Sequence, residues 1–147
     1  MFHRKRWNST DKEVNRKRVG FFLDDERKPA HVTWCCSVKN VEWHIARDYT
    51  RAVELVEKMI KEGTVIDYLA LDYDLGEFNF TSPRTGETFF TWFAARVRTL
   101  YSEGINLVND DLCINIHSQA HPDMLYPLRR AVGNFESWLY VERYEES

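Results

Sequence analysis

Three short apolar runs in this chain of 147 residues each stop at polar side chains that can bind a ligand or carry a proton. Those side chains are Asp24 and Asp25 after residues 19–23, Asp72 and Asp74 after residues 65–71, and His117 and Ser118 after residues 112–116. Apolar runs bounded in this way are typical of buried strands in a parallel sheet. Ligands of such sheets bind just outside the carboxyl ends of the strands. The three runs therefore predict a fold class and a single site together.

The segments between the runs predict helices and two further strands. Residues 41–47 alternate between apolar and polar side chains, which is typical of a half-buried strand. Helices are predicted from a Thr50 cap to Gly63, over residues 88–102, and from Pro122 to Gly133, with a last strand at residues 138–141. This alternation predicts an α/β fold, a three-layer sandwich with a mostly parallel sheet.

Charge is distributed unevenly along the chain and suggests two parts. Residues 1–18 carry seven Lys and Arg against two acidic residues, a net charge of +5, so the remaining residues carry −8. We expect a basic N-terminal arm at 1–18 and one α/β domain at 19–147. An acidic body does not favour a nucleic-acid groove across the domain. The arm is either a solvated terminus or a segment that contacts RNA phosphates.

Cysteine usage and hydropathy predict a reduced, cytoplasmic protein. The three cysteines are Cys35, Cys36 and Cys113, and an odd number with one adjacent pair is a poor disulfide framework. Cys113 lies in an apolar run and is predicted to be a small core residue. No apolar run has the length of a membrane span, and no apolar segment of a secretory signal follows the basic start.

The acidic strand ends predict a metal site. Carboxylates held close together repel one another unless a cation neutralises them. Ligation by oxygen atoms alone favours Mg²⁺, Mn²⁺ or Ca²⁺ over zinc, and Mg²⁺ is commonly shared with a substrate phosphate. The alternative is that Asp24 and Asp74 only cap turns at the strand ends. Two acidic pairs at strand ends that are predicted to adjoin favour the metal site.

Three segments together resemble a known family. They are Phe22-Leu-Asp-Asp-Glu-Arg-Lys-Pro29, Leu69-Ala-Leu-Asp-Tyr-Asp-Leu-Gly76 and Ile114-Asn-Ile-His-Ser-Gln119, with Thr85-Gly86 before a helix. This pattern resembles the cyclic-phosphate processing domain, a divergent branch of the response-regulator receiver fold. The resemblance covers about residues 19–132 and implies a flavodoxin-like sandwich. Because residues 27–40 lack a clear helical face, we expect the first helix of that fold to be reduced or replaced.

The resemblance also implies roles for the strand-end residues. Asp24 and Asp25 would hold the metal, and Asp72 would lie beside it where a receiver accepts a phosphoryl group. Asp74 would stand two residues further on, where receivers usually offer a backbone carbonyl to the metal. Receivers also use a Lys at the end of a fifth strand, and the C-terminal segment of this chain has none there. Tyr73 replaces a His that is common in the family pattern. The missing Lys argues against a phosphorelay switch.

The function that the resemblance implies is a metal-dependent phosphoesterase acting on cyclic phosphates of nucleotides or RNA ends. His117 would exchange a proton with the substrate or water, Ser118 would hydrogen-bond a phosphate oxygen, and Arg27 or Arg84 would bind another. His117 also has a simpler interpretation as a strand-end histidine bonded to backbone. The alternative function is a non-catalytic module that binds a nucleotide or a protein in the same cleft.

Overall fold

The computed structural model describes residues 17–76 and 84–145. Most of the basic arm and residues 77–83 lie outside the described residues. The elements in chain order are β1 (Arg18–Leu23), a one-turn 3₁₀ helix (Pro29–His31), α1 (Thr33–Ser37), β2 (Val41–Ala46), α2 (Tyr49–Glu62), β3 (Ile66–Leu71), α3 (Gly86–Ser102), β4 (Val108–Ile116) and α4 (Pro122–Glu145). The strands form one parallel sheet in the order β2-β1-β3-β4. The predicted α/β fold with a mostly parallel sheet is confirmed.

The two faces of the sheet are covered very differently. Residues of α2, α3 and α4 join one large apolar cluster with Phe21 and Leu23 of β1 and with Leu69 and Leu71 of β3. On the other face Phe22 and Ala70 pack against the short segment that contains α1, which contributes Val32 and Cys35. The third layer of the sandwich is therefore thin, and the expected first helix is reduced to a 3₁₀ turn and five residues of α-helix.

The C-terminal part of the chain corrects two predictions. Residues 138–141 belong to α4 and not to a strand, and Gly133 lies within that helix and does not end it. The apolar residues Leu128, Val132, Phe135 and Leu139 recur at helical spacing on both sides of Gly133, and all four are buried. Burial of that continuous face outweighs the weak helix preference of one glycine.

Two local predictions were also wrong. The N-cap of α2 is Asp48, whose carboxylate accepts a hydrogen bond from the Arg51 N–H at 2.7 Å, so Thr50 lies inside the first turn. Cys113 is exposed and does not belong to the core. Its neighbours Leu112 and Ile114 point towards the helical face, so the alternation of β4 turns Cys113 to the thinly covered face.

No helix in the described ranges combines the length and the apolar character that a membrane span needs. Arg18, which the charge pattern assigned to the arm, is the first residue of β1, and its N–H donates to the Asn40 carbonyl at 2.9 Å.

Candidate metal-binding cleft

Backbone hydrogen bonds hold the polar residues in register just beyond the strand ends. The N–H of Asp24 donates to the Ala46 carbonyl, that of Asp72 donates to Leu23, and that of His117 donates to Leu71, over 2.8 to 3.2 Å. The ladder thus continues one residue past each strand. This continuation is why the acidic residues of β1 and β3 meet at one edge of the sheet.

An open cleft of about 400 Å³ lies at this edge. Its lining residues come from all three strand ends and are Asp24, Asp25, Glu26, Arg27, Asp72, Asp74, Ser118, Gln119 and Ala120. Arg27 is the basic residue among those that line the cleft. The cleft is therefore rich in carboxylates and has a guanidinium within it.

Three carboxylates form the centre of the cleft. One oxygen each from Asp24, Asp25 and Asp72 lies within 4.8 Å of the other two, a spacing that suits ligands of one cation. Asp74 also lines the cleft but is not part of this group, and its Oδ1 accepts a hydrogen bond from the Gly76 N–H at 2.9 Å. Asp74 thus caps a turn, as its alternative interpretation expected.

Asp24 is buried and accepts four hydrogen bonds. Its Oδ1 accepts the backbone N–H groups of Glu26 at 2.9 Å and Arg27 at 2.8 Å. Its Oδ2 accepts Nε of Arg27 at 2.9 Å and lies 3.1 Å from Nε2 of His117. Burial alone would raise the pKa of Asp24, but these N–H groups and the nearby positive charges outweigh it and lower the pKa. Asp24 is therefore held as a carboxylate.

Asp72 lies in the opposite electrostatic situation. Burial, reinforced by the negative charge of Asp24, raises its pKa to about 6. The Ser118 hydroxyl, the Asp74 N–H and the Arg27 charge oppose that rise without cancelling it. Nη2 of Arg27 lies 3.6 Å from Oδ2 of Asp72, longer than a hydrogen bond. Asp72 thus carries a charge that its surroundings neutralise only in part.

Asp25 is half-buried, and its position depends on a glycine. Burial raises the pKa of Asp25, and the charges of Glu26, Asp24 and Asp74 add to the effect. Gly76 has a φ of +70°, and a Cβ built there would lie 2.9 Å from Oδ2 of Asp25. Gly76 is therefore suited to this turn by its positive φ, and a larger residue there would also require the Asp25 carboxylate to shift.

His117 lies behind Asp24 and does not line the cleft. It is only 8% exposed, and its ring stacks on Phe22 with centroids 4.8 Å apart. Nε2 faces Asp24, and Nδ1 is buried with no hydrogen-bond partner among residues 17–76 and 84–145. Burial lowers the pKa of His117, and Arg27 adds to this effect while Asp24 opposes it. A neutral ring that donates from Nε2 to Asp24 fits these surroundings, whereas direct contact with a ligand in the cleft does not.

The two predicted phosphate-binding arginines are placed differently. Arg27 lines the cleft, whereas Arg84 does not. Nη1 of Arg84 donates to Oγ1 of Thr50 at 2.6 Å, and its guanidinium lies over the Tyr49 ring. Arg84 thus binds the first turn of α2.

The Thr85-Gly86 pair fixes the position of α3 beside the cleft. Thr85 is the N-cap of α3, and the Gly86 N–H donates to the Tyr73 carbonyl at 2.8 Å. A Cβ at Gly86 would lie 2.1 Å from the Asp72 carbonyl oxygen, so any larger residue would push α3 away from the turn after β3. This pair therefore supports the backbone that presents Asp72.

Arg47 is a supporting residue that sequence reasoning missed. Its Nη1 donates to the carbonyl oxygen of Asp24 at 3.1 Å and also to that of Arg27. These bonds hold the turn that follows β1. Arg47 directly follows β2, so the rule that singled out the other strand ends would have found it.

Comparison with known proteins adds one finding at this point. A family model described as the cyclic-phosphate processing receiver domain matches residues 19–124, well over half of the chain. The chain belongs to this family. No curated protein matches the chain, and no solved structure matches it either. The suspected resemblance is thus confirmed, and with it a flavodoxin-like receiver fold.

The donor set of this cyclic-phosphate processing receiver domain suits Mg²⁺ or Mn²⁺. The three central ligand atoms are carboxylate oxygens, which these hard cations prefer. Burial, reinforced by the negative charge of Asp24, raises the pKa of Asp72, so an ionised Asp72 is costly in these surroundings. A divalent cation would stabilise that charge, so the residues present fit such an ion.

Proposed function

We propose that this domain binds a divalent metal ion in the cleft and hydrolyses cyclic phosphates of nucleotides or RNA ends. The observation that carries the proposal is the meeting of Asp24, Asp25 and Asp72 in an open cleft that also contains Arg27. Paired metal and guanidinium groups are a recurring means of binding phosphate. The family description points to the same class of substrate.

Asp25 and Asp72 are the proposed direct ligands of Mg²⁺ or Mn²⁺. Asp24 already accepts four hydrogen bonds, so it contributes mainly its negative charge and the orientation of the turn. Ser118 acts on Asp72 by hydrogen bonding to that carboxylate, in place of the direct phosphate contact expected from the sequence. When bound, the ion would polarise the phosphodiester and lower the pKa of a bound water.

Arg27 is the proposed phosphate-binding residue of the cleft. Its guanidinium lies between Asp24 and Asp72, about a third exposed, so it can reach a ligand in the cleft by side-chain rotation. A guanidinium matches two phosphate oxygens at once, which would orient the cyclic diester towards the carboxylates. Arg84 has no part in this proposal, because its side chain is bound at α2.

His117 has a positioning role in this proposal. A neutral imidazole that donates from Nε2 to Asp24 keeps that carboxylate in one orientation and tolerates burial better than a charged ring. It acts through Asp24 and does not contact the substrate. The proton chemistry that the sequence assigned to His117 would then belong to carboxylates and water in the cleft.

The proposed reaction is a ring opening by water. The oxygen of water forms a bond to phosphorus, one phosphorus–oxygen bond to the ribose breaks, and the released ribose oxygen takes a proton while water gives one up. The product is a phosphomonoester beside a free hydroxyl. An RNA end is a suitable substrate if the basic arm, residues 1–18, contacts the preceding phosphates.

The proposal is tested with a 2′,3′-cyclic mononucleotide and the full chain. We expect turnover that depends on Mg²⁺ or Mn²⁺ and that falls by about 10²-fold or more in Asp25→Asn, because a direct ligand and its charge are altered. Asp123→Asn is the matched control, since Asp123 is an exposed acid on α4 outside the cleft, and it should retain wild-type turnover. Metal-independent turnover, or equal rates in both variants, would contradict the proposal.

A second candidate function is a binding module that holds a cyclic nucleotide without cleaving it. It is favoured by the burial of His117, since the expected proton donor does not line the cleft. Metal-dependent binding of the intact cyclic nucleotide, measured by calorimetry, with no product after prolonged incubation would select this function. In that case Asp25→Asn would weaken binding.

A further inference from the structure

Arg27 lies against carboxylates that a bound cation would also neutralise. Its Nε donates to Oδ2 of Asp24 at 2.9 Å, its Nη2 donates to the His117 carbonyl at 3.1 Å, and Nη2 lies 3.6 Å from Oδ2 of Asp72. One side chain thus contacts groups beyond all three strand ends. Its positive charge partly balances the crowded carboxylates in the absence of metal.

The bonds that hold Asp24 differ in how easily they break. Two of its four donors are backbone N–H groups of the turn, and a third is the buried ring of His117. Only the fourth donor belongs to a side chain that is 31% exposed, namely Arg27. A cation that binds Asp25 and Asp72 beside Asp24 therefore meets Arg27 as the donor most readily displaced.

The backbone of Arg27 is held separately from its guanidinium. Its N–H donates to Oδ1 of Asp24, and its carbonyl accepts a hydrogen bond from Arg47. The side chain can consequently rotate while the turn after β1 keeps its place. Repulsion between a divalent cation and a guanidinium a few ångströms away would drive that rotation towards the open cleft.

We propose that Arg27 is a displaceable internal counter-ion that couples metal binding to phosphate binding. Without metal its guanidinium neutralises Asp24 and Asp72; with metal it turns into the cleft and binds phosphate. This inference rests on the proposed function, because it requires a divalent ion and a phosphate in the same cleft. It adds that the metal ion competes with the Arg27 guanidinium for the carboxylates, and that metal binding thereby assists phosphate binding.

The coupling is tested by titration of Mg²⁺ alone, followed by inorganic phosphate, with calorimetry and without any assay of turnover. Arg27→Gln should bind Mg²⁺ about tenfold more tightly than wild type, because the competing charge is gone. Arg51→Gln removes an exposed arginine of α2 that pairs with Glu54 and should change Mg²⁺ affinity less than about twofold. Saturating Mg²⁺ should strengthen phosphate binding in wild type by about fivefold or more and much less in Arg27→Gln.

Unchanged or weaker Mg²⁺ binding by Arg27→Gln would overturn the inference, since Arg27 would then only organise the carboxylates. The same holds if no Mg²⁺ binds to either protein. Should Arg27→Gln fail to fold, the Nε–H proton resonance of Arg27 in the wild-type chain, assigned by its loss in Arg27→Lys, decides the matter. It should move towards the position of a solvated arginine as Mg²⁺ is added, and an unmoved resonance at saturation would refute the displacement. Altered affinities without hydrolysis would refute the enzyme proposal alone.

Discussion

Two buried acidic residues lie at opposite ends of the sheet, and they differ in what surrounds them. Asp67, near the start of β3, accepts the Val19 N–H at 2.8 Å and Nδ2 of Asn109 at 3.0 Å, with Nη1 of Arg18 at 3.8 Å. Asp72, just past the end of the same strand, has the Asp24 carboxylate as a neighbour, and its pKa is raised to about 6. Both are almost inaccessible to solvent.

The difference lies in the balance of donors and acceptors. The neighbours of Asp67 are mainly hydrogen-bond donors and one cationic side chain. The carboxylate therefore links β1, β3 and β4 and has a structural role. At Asp72 the carboxylates are in excess, and the local structure bears a cost that a cation would relieve. Burial of an acid alone is thus no indication of a ligand site; at Asp72 burial is combined with the charge of a neighbouring carboxylate in an open cleft.

The largest expected effect on the free energy of unfolding is at Asp67. Asp67→Ala leaves the partly buried Val19 N–H and the buried Asn109 amide without their acceptor, so we expect a loss of about 3 kcal/mol in the free energy of unfolding. The proposed Mg²⁺ site lies at the other end of the sheet, so Mg²⁺ should still raise the free energy of unfolding of this variant. Urea unfolding with and without Mg²⁺ measures both quantities, with Asp123→Ala as the exposed control. A loss of less than about 1 kcal/mol would contradict the structural role of Asp67, and with it the contrast between Asp67 and Asp72.

A smaller effect of opposite sign is expected at Asp72. A carboxyl whose pKa is about 6 in the folded protein and 3.8 as a free residue binds protons more readily in the folded state. Its contribution to stability is therefore highest at low pH and is lost as pH rises from about 4 to about 6. At pH 7, without metal, Asp72→Asn should raise the free energy of unfolding by about 2 kcal/mol.

The pH profile isolates this contribution. The lowered pKa of His117 acts in the opposite direction, because stability falls as pH drops through the range where the unfolded histidine becomes protonated. The difference between wild type and Asp72→Asn is therefore the quantity to follow, and it should grow between pH 4 and pH 6 in metal-free buffer. A difference that stays constant with pH would show that Asp72 titrates normally. The stabilisation by Mg²⁺ should be lost in Asp72→Asn.

The sequence predicted the parallel sheet and the meeting of Asp24, Asp25 and Asp72, because strand ends follow directly from short apolar runs. It could not predict the direction in which the side chain of His117 points at the end of β4. His117 turns behind Asp24 to stack on Phe22, a contact between strands that no local pattern encodes. Arg84 was assigned to the cleft from residue type alone, and its partner Thr50 is 34 residues away.

The error at residues 138–141 has a different origin. A short apolar run has the same composition in a strand and in a helix, and only the longer period through Phe135 and Leu139 separates the two. Cys113 was wrongly predicted to lie in the core because it faces the thinly covered side of the sheet. Apolar neighbours along a strand do not show that both faces of that strand are buried. The errors at His117, Arg84 and Cys113 concern packing between distant segments, which the sequence specifies only through the complete fold.

The smallest effect is expected from removal of the basic arm, tested by deletion of residues 1–16. The first residue of β1, Arg18, is already held by a backbone bond to Asn40 and by its ion pair with Asp67. We therefore expect the free energy of unfolding to change by less than about 0.5 kcal/mol. If the arm contacts RNA, the deletion should also weaken RNA binding and reduce its dependence on salt, because fewer phosphate counterions are released. A loss of stability near that of Asp67→Ala would instead show that Phe2 or Trp7 of the arm docks on the domain. The arm would then stabilise the fold, as Asp67 does.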